Sequence, residues 1–418
     1  MKTLILFLLI PSYVVTVQAG VQLPRQSLKP AKVNRATVRS TWAIQHNRMR
    51  LMSRAERAKA IRSSGGSAET EAAVEKALWW LTKKQKSDGH WDETQSKVAH
   101  TGLAILCYLS YGVVPDDKRP EMKDHAAALS KGLKWLVHQV GEDGNIRDGG
   151  QMYDQSIGAL ALGEAHYVTG DEEYSQPLRR AAEYLIKTQN PKTGGWRYQP
   201  YPHLKSDPSD LSVSGWVIMA LRSAEMSGSK RMSDDTLFKT RKYLDSVSAG
   251  KHKGKYGYRT PSPKDTMTAV GMYCQQILAI RRATIEDRQN ESAAYLDSHL
   301  PNKRQKNYYY WYYGTLATFL HEGDKGEVWK KWNEKMVPIF LEKQQADGSW
   351  KAEGSRAKKE GTLVTTCWAA LSLTVYYRYL PMYNGFRRMN LGKKPTAKRD
   401  IKSTPRINLT PKTLPEKK

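Results

Sequence analysis

The sequence predicts an all-α protein whose helices pair six times around a ring, an (α/α)6 toroid. Three observations carry that expectation. Gln85-Lys-Ser-Asp88-Gly89-His-Trp91 and Gln344-Gln-Ala-Asp347-Gly348-Ser-Trp350 share the pattern Gln-x-x-Asp-Gly-x-Trp. Degenerate copies stand between them, from Gln139 through Asp143-Gly144 to Ile146 and from Gln189 through Gly194-Gly195 to Trp196, at a period of about 50 residues. Each copy is also preceded and followed by helical patterns of different character.

The preceding stretches are amphipathic, with Leu78, Trp79 and Leu81, then Leu133, Trp135 and Leu136, then Tyr184, Leu185 and Ile186, and finally Ile339, Phe340 and Leu341. The following stretches, which begin at Thr101, Ser156, Ser214 and Thr365, are more apolar and rich in Gly, Ala, Ser and Thr. Two further pairs lack a clean motif: Tyr243-Leu244 leads to Thr268, and Tyr295-Leu296 leads to Tyr313. Small, apolar second helices fit an inner ring, and the first helices then form an outer one. Between them the Asp-Gly step supplies a sharp turn, because glycine tolerates positive φ and Asp bonds its local backbone.

The Gln-x-x-Asp-Gly-x-Trp segment resembles the QW motif of squalene and oxidosqualene cyclases, within the terpenoid-cyclase and protein-prenyltransferase toroid superfamily. The resemblance spans roughly Glu69 to Tyr383 and is strongest to secreted bacterial proteins with squalene-cyclase-type repeats. It implies a scaffold role for Gln85, Asp88, Gly89, Trp91, Gln139, Gln189, Trp196, Gln344, Asp347, Gly348 and Trp350.

Both ends of the chain differ from this middle. Lys2, the apolar run Leu4 to Ile10 and the ending Val17-Gln18-Ala19 predict a signal peptide over 1–19, hence export to the periplasm or beyond the cell. Two arms follow from the charge distribution. Of the net +26, residues 20–68 carry +10 and the segment Arg387 to Lys418 carries +9. The toroid, 69–384, is only mildly basic. The tail, 385–418, has too little apolar surface to order itself and reads as a flexible cationic arm. In the N-terminal arm, Trp42, Ile44, Met49, Leu51 and Met52 with interleaved Arg predict a basic amphipathic helix. Such arms favour anionic envelope polymers or lipid headgroups, rather than nucleic acid, in an exported protein. Solvated tails without a partner fit the same composition. Cys107, Cys274 and Cys367 all fall in second helices, which suggests buried thiols rather than disulfides.

The chemistry is less clearly written. A cyclase of this family protonates an alkene with an Asp-x-Asp-Asp acid, and the chain has none. Asp207-Pro208-Ser209-Asp210 is the nearest segment, and there Asp210 fits an N-cap better than a proton donor. Asp154 and Asp265 occupy the same place in their pairs. Together these acids would ring one mouth of the toroid, where positive helix ends favour a polar ligand. Glu164 lies in an apolar run and needs a partner there. Tyr153, Trp216, Tyr310, Trp311 and Trp368 are candidate walls of a central cavity, or core.

No cofactor or metal set is recognised. Prenyltransferase zinc ligation and the Gly-Cys-Gly-Glu-Gln thioester segment are both missing. The sequence therefore favours an exported ligand-binding or envelope-associated protein that holds an isoprenoid or a glycan in its central cavity. A noncanonical isoprenoid cyclase or a polysaccharide-processing enzyme is the alternative.

Overall fold

The computed structural model describes residues 54–94, 96–202, 208–279 and 282–377. The signal peptide, the amphipathic segment around Trp42 and the basic tail lie outside them. Helix formation follows local chemistry. The helix Ala68–Lys84 (α2) opens on a reciprocal Ser67/Thr70 capping box, carries Glu69 and Glu71 in its first turn, and ends on Lys83 and Lys84. Each feature satisfies orphan amides or complements the helix dipole.

A short helix, Arg54–Ser63 (α1), precedes it. After α2 come Lys97–Tyr111 (α3), Lys123–Gln139 (α4), Met152–Thr169 (α5), Ser175–Lys187 (α6), Leu211–Met226 (α7) and Asp234–Ser246 (α8). A two-residue hairpin pairs Ser248–Ala249 (β1) with Lys255–Tyr256 (β2). The chain continues through Asp265–Leu278 (α9), Glu286–Asp297 (α10), Tyr308–Glu322 (α11), Glu327–Lys343 (α12) and Ser355–Leu373 (α13). A 3-10 turn, Val375–Tyr377, ends the described part.

The odd-numbered helices from α3 to α13 form the inner ring. Each packs on the next, and α13 returns to α3. Their N-termini touch one another, as when Asp154 at the start of α5 accepts from the Ala99 amide of α3 at 3.0 Å. The inner helices therefore run parallel, and their N-termini surround one mouth. The even-numbered helices from α2 to α12 run the other way outside them. Inner helices are buried nearly all round: Leu160, Ala161 and Leu162 in α5 have no exposed surface. A fully buried leucine contributes about 1.5–3 kcal/mol through its apolar surface. In α2 the structure buries Trp80, while Trp79 remains 42% exposed.

The repeated motif is a clamp. Gln85 donates from Nε2 to Gly89 O and to Ala128 O of the next outer helix, at 2.8 and 2.7 Å. Gln189 does the same to Gly194 O and Thr236 O, at 2.8 and 3.2 Å. Gln344 reaches Gly348 O and Ala73 O, at 3.0 and 2.7 Å, and so joins the last repeat to the first. The indoles of Trp91, Trp196 and Trp350 donate to Leu81 O, Leu185 O and Phe340 O in the last turn of their own outer helices. Their amides donate to Thr101, Ser214 and Thr366 on the inner helices. Gly348, at φ +94°, sits so close to the next outer helix that a Cβ would lie 2.4 Å from Lys76 O. Only glycine fits. Asp347 braces the same seam by accepting from Trp80 Nε1 at 3.1 Å.

The second repeat departs from the expectation. No side-chain hydrogen bond of Gln139 is found among the described residues, and the clamp is made instead by Gln155 of α5. Its Nε2 donates to Gly144 O at 2.9 Å and to Ala181 O at 3.5 Å, and its Oε1 accepts from the Ile146 amide at 2.8 Å. One buried amide thus fills the places of both the motif glutamine and the inner-helix hydroxyl.

The opposite mouth is covered by α1 and the 3-10 turn. Arg57 lies over the rings of Tyr111 and Tyr377, at 4.2 and 4.9 Å, and pairs with Glu71 at 3.0 Å.

Candidate functional site

At the level of Trp216 the ring interior is packed with aromatic side chains. Trp216 stacks on Tyr312 at 6.0 Å and tilts against Trp368 at 5.4 Å. Tyr313 packs edge-on to Trp216 at 5.6 Å and donates to Met219 Sδ. Trp216, Tyr312 and Tyr313 have no accessible surface, so no water-sized space adjoins them. Trp216 is therefore core, and Trp368, 4% exposed, packs against it. Trp311 and Tyr310 point away from the centre. Trp311 packs on Phe340 of α12, and Tyr310 packs edge-on to Trp332 while donating to His299 O at 2.6 Å. The six consecutive aromatics from Tyr308 to Tyr313 are all buried because α11 is enclosed on every side, not because they share a face.

The acids have defined structural work. Asp154 is buried and accepts from the amides of Ala99, Gly150 and Gln151. Burial raises its pKa, and those amides oppose the rise only in part. Asp210 is the N-cap of α7, accepting from the Val213 amide at 2.9 Å and the Ser212 hydroxyl at 2.7 Å. It also has no exposed surface. Burial raises its pKa despite those bonds and the nearby Arg197. Glu164, fully buried, accepts from Ser223 Oγ at 2.7 Å and ties α5 to α7. Glu93 holds the seam of the ring by accepting from the Leu363 amide at 2.5 Å, just past Gly361, whose φ of +94° breaks α13.

What reaches the surface is the mouth above these N-termini. The segment after Trp196 crosses the start of α5, with the Met152 amide donating to Tyr198 O at 2.8 Å. Tyr258, on the loop before α9, is held by the Leu211 amide at 2.9 Å. Three half-buried tyrosines meet here: the hydroxyls of Tyr198 and Tyr258 lie 2.6 Å apart, and Tyr153 donates to Ser212 Oγ at 2.6 Å. Arg197 stands over the Tyr198 ring at 4.8 Å and pairs with Asp210 at 3.3 Å. A shallow groove beside it is lined by Arg197, Gln199, Tyr201, Ser209 and Asn190. Asp265 lies on the same rim, beside Tyr295 and His299. Of the sequence-derived residues the structure thus gathers Tyr153, Asp210, Asp154 and Asp265 at one mouth. Arg197, Tyr198 and Tyr258 were missed because they sit on loops without a repeating pattern.

Among the described residues, no group of three or more His, Cys, Asp and Glu is placed to hold a metal ion, and no helix is long and apolar enough to cross a membrane. Cys107, Cys274 and Cys367 are buried free thiols.

Comparison with known proteins finds no matching family model. A 133-residue segment, 30% of this chain, is 30% identical to thioester-containing protein 1 allele S3 of Anopheles gambiae, and allele S1 matches equally. That segment spans 9% of the mosquito protein. Solved structures show the fold. An α-1,6-mannanase of Salegentibacter, solved with α-1,6-mannotriose as an inactive variant with two neighbouring aspartates replaced, superposes with a TM-score of 0.55 at 9% identity, over 74% of this chain and 99% of its own. A GH76 α-mannanase of Bacteroides thetaiotaomicron gives 0.54 at 13% identity, over 74% and 96%. Cellobiose 2-epimerase of Spirochaeta thermophila gives 0.50 at 13%, over 74% and 97%. The chain is an α/α toroid of the shape these proteins share, and no squalene-cyclase repeat family is detected.

Proposed function

We propose that this protein binds a glycan at the mouth formed by the N-termini of its inner helices and serves in the handling of polysaccharide outside the cytoplasm. The observation that carries the reading is the half-buried cluster of Tyr153, Tyr198 and Tyr258 around Arg197. Tyrosine rings present an apolar face with a polar tip, which suits the C–H faces and hydroxyls of a pyranose. The arginine and the helix N-termini add fixed donors. Likeness in fold to mannanases and an epimerase supports a glycan over an isoprenoid.

The acids favour binding over hydrolysis. Glycoside cleavage uses two carboxyl groups flanking the scissile bond, whereas Asp154 and Asp210 are buried and accept from backbone amides. The neighbouring acids Asp116-Asp117 and Asp234-Asp235 lie toward the other mouth, after α3 and in the first turn of α8. A polysaccharide-processing enzyme is the second reading, and fold likeness favours it. Arg54 and Tyr377, the ends of the described part, lie at the covered mouth, where Arg57 meets Tyr377. In this proposal the basic arms, 20–68 and 385–418, hold an anionic envelope polymer or lipid surface while the glycan mouth faces away.

Titration calorimetry of the purified chain with α-1,6-mannotriose, cellobiose and envelope polysaccharide tests the reading. Binding that weakens at least tenfold in Tyr198→Ala, with the helical signal unchanged, is the expected result. Absence of binding to every glycan overturns it. Reducing ends that accumulate with time would replace binding by hydrolysis.

A further inference from the structure

On the same rim, between the N-termini of α9 and α11, three side chains hold each other in a fixed array. His299 stacks on Tyr295, with ring centroids 4.2 Å apart and planes 12° apart. Its Nδ1 lies 2.8 Å from the carbonyl oxygen of Tyr295 and 2.9 Å from Ser298 Oγ, and its Nε2 faces Asp265. The Tyr295 hydroxyl donates to Asp265 Oδ1 at 3.0 Å and fixes the carboxylate. Tyr310 holds the His299 carbonyl, and Asn307 donates to Thr266 Oγ1 at 3.0 Å, locking the two inner helices beneath.

These anchors leave a gap. His299 Nε2 and Asp265 Oδ1 stand 3.9 Å apart, with each side chain 39% exposed. That is beyond hydrogen-bond reach, and a polar separation of this size invites a bridging group. Here ring stacking, the Tyr295 carbonyl and the Tyr295 hydroxyl orient both side chains without joining them.

We propose that Asp265 and His299, positioned by Tyr295, form a subsite for a vicinal diol of a sugar. One hydroxyl donates to the carboxylate and its neighbour hydrogen-bonds with Nε2, each over about 2.8 Å. The inference rests on the glycan reading and names the chemistry that this part of the mouth reads: two adjacent free hydroxyls, rather than a ring face or a charge. Sites built to bond a hydroxyl reject analogues lacking it strongly, because their own polar groups are left unpaired.

The test uses the intact protein with the methyl glycoside of α-1,6-mannotriose and with the same glycoside bearing 3-deoxy residues, in which no two neighbouring hydroxyls remain. The wild type should lose at least tenfold in affinity on the 3-deoxy probe. Asp265→Asn and His299→Phe should each bind mannotriose at least tenfold more weakly, and their double variant should no longer distinguish the two probes. Tyr295→Phe removes one oxygen and tests positioning alone, with a loss of a few-fold expected. If mannotriose binds and Tyr198→Ala weakens it while Asp265→Asn and His299→Phe bind like the wild type, the subsite is overturned and the glycan reading stands. If the wild type binds neither probe nor any other glycan, both fall together.

Discussion

Replacing Gln155 should destabilise this protein far more than replacing Gln139, although only Gln139 carries the sequence motif. Gln155 is 3% exposed, and a methionine there keeps the length and loses every polar contact. The buried Ile146 amide and Gly144 carbonyl would then lack their bonds of 2.8 and 2.9 Å. A buried group left unsatisfied costs about 1–3 kcal/mol, so Gln155→Met should cost about 2–4 kcal/mol, whereas Gln139→Met should cost less than about 0.5 kcal/mol, as surface changes do. Equilibrium unfolding in urea gives both values from midpoint and slope. Equal losses, or a larger loss at Gln139, would refute the substitution of one glutamine for the other.

Three further outcomes follow from the same geometry. Gly348→Ala meets both a positive φ and Lys76 O at 2.4 Å, and should lower stability by at least about 2 kcal/mol in the same assay. Asp210→Asn keeps a capping oxygen and should fold, while Asp210→Ala should lose about 1–2 kcal/mol; equal stability would sink the capping role. His100 is buried, and burial lowers its pKa from 6.5 to about 4 against the opposing charges of Glu93 and Asp92. Between these values the unfolded chain binds more protons than the folded one, so this group's contribution is lost as pH falls from 6.5 toward 4, by about 1.4 kcal/mol per pH unit. Urea midpoints at pH 7, 6 and 5 should fall less steeply in His100→Gln than in the wild type. Parallel profiles would remove His100 as the cause.

Much of the ring was legible because the repeat states its own period. Gln85, Gln189 and Gln344 make their clamps where the motif places them, and the inner helices announce themselves by Gly and Ala. The second repeat was misread because Gln155 lies on an inner helix, nine residues beyond Ile146, where no motif directs attention. A signal was present: Thr101, Ser214, Thr268 and Thr366 recur at the corresponding place and accept from the motif's aromatic amide. The site was harder to read. Aromatic residues in a ring of helices suggest a cavity wall and a core equally well, and composition does not say whether Trp216 meets a ligand or Tyr312. Arg197 and Tyr198 meet Tyr258, and His299 meets Asp265, only through long-range packing, which no local pattern encodes.

The clamp from Gln344 to Ala73 has one more consequence. A linear stack of repeats has two end units, each with an interface facing water, and these must be specially capped. Here the junction of the last pair with the first uses the same glutamine, glycine and indole contacts as its neighbours, and α1 brings Arg57 against Tyr377. The order in which the pairs follow along the chain is then incidental to the ring. A circular permutant, cut in the loop between α6 and α7 and joined from Tyr377 to Arg54 by a short linker, should close into the same toroid.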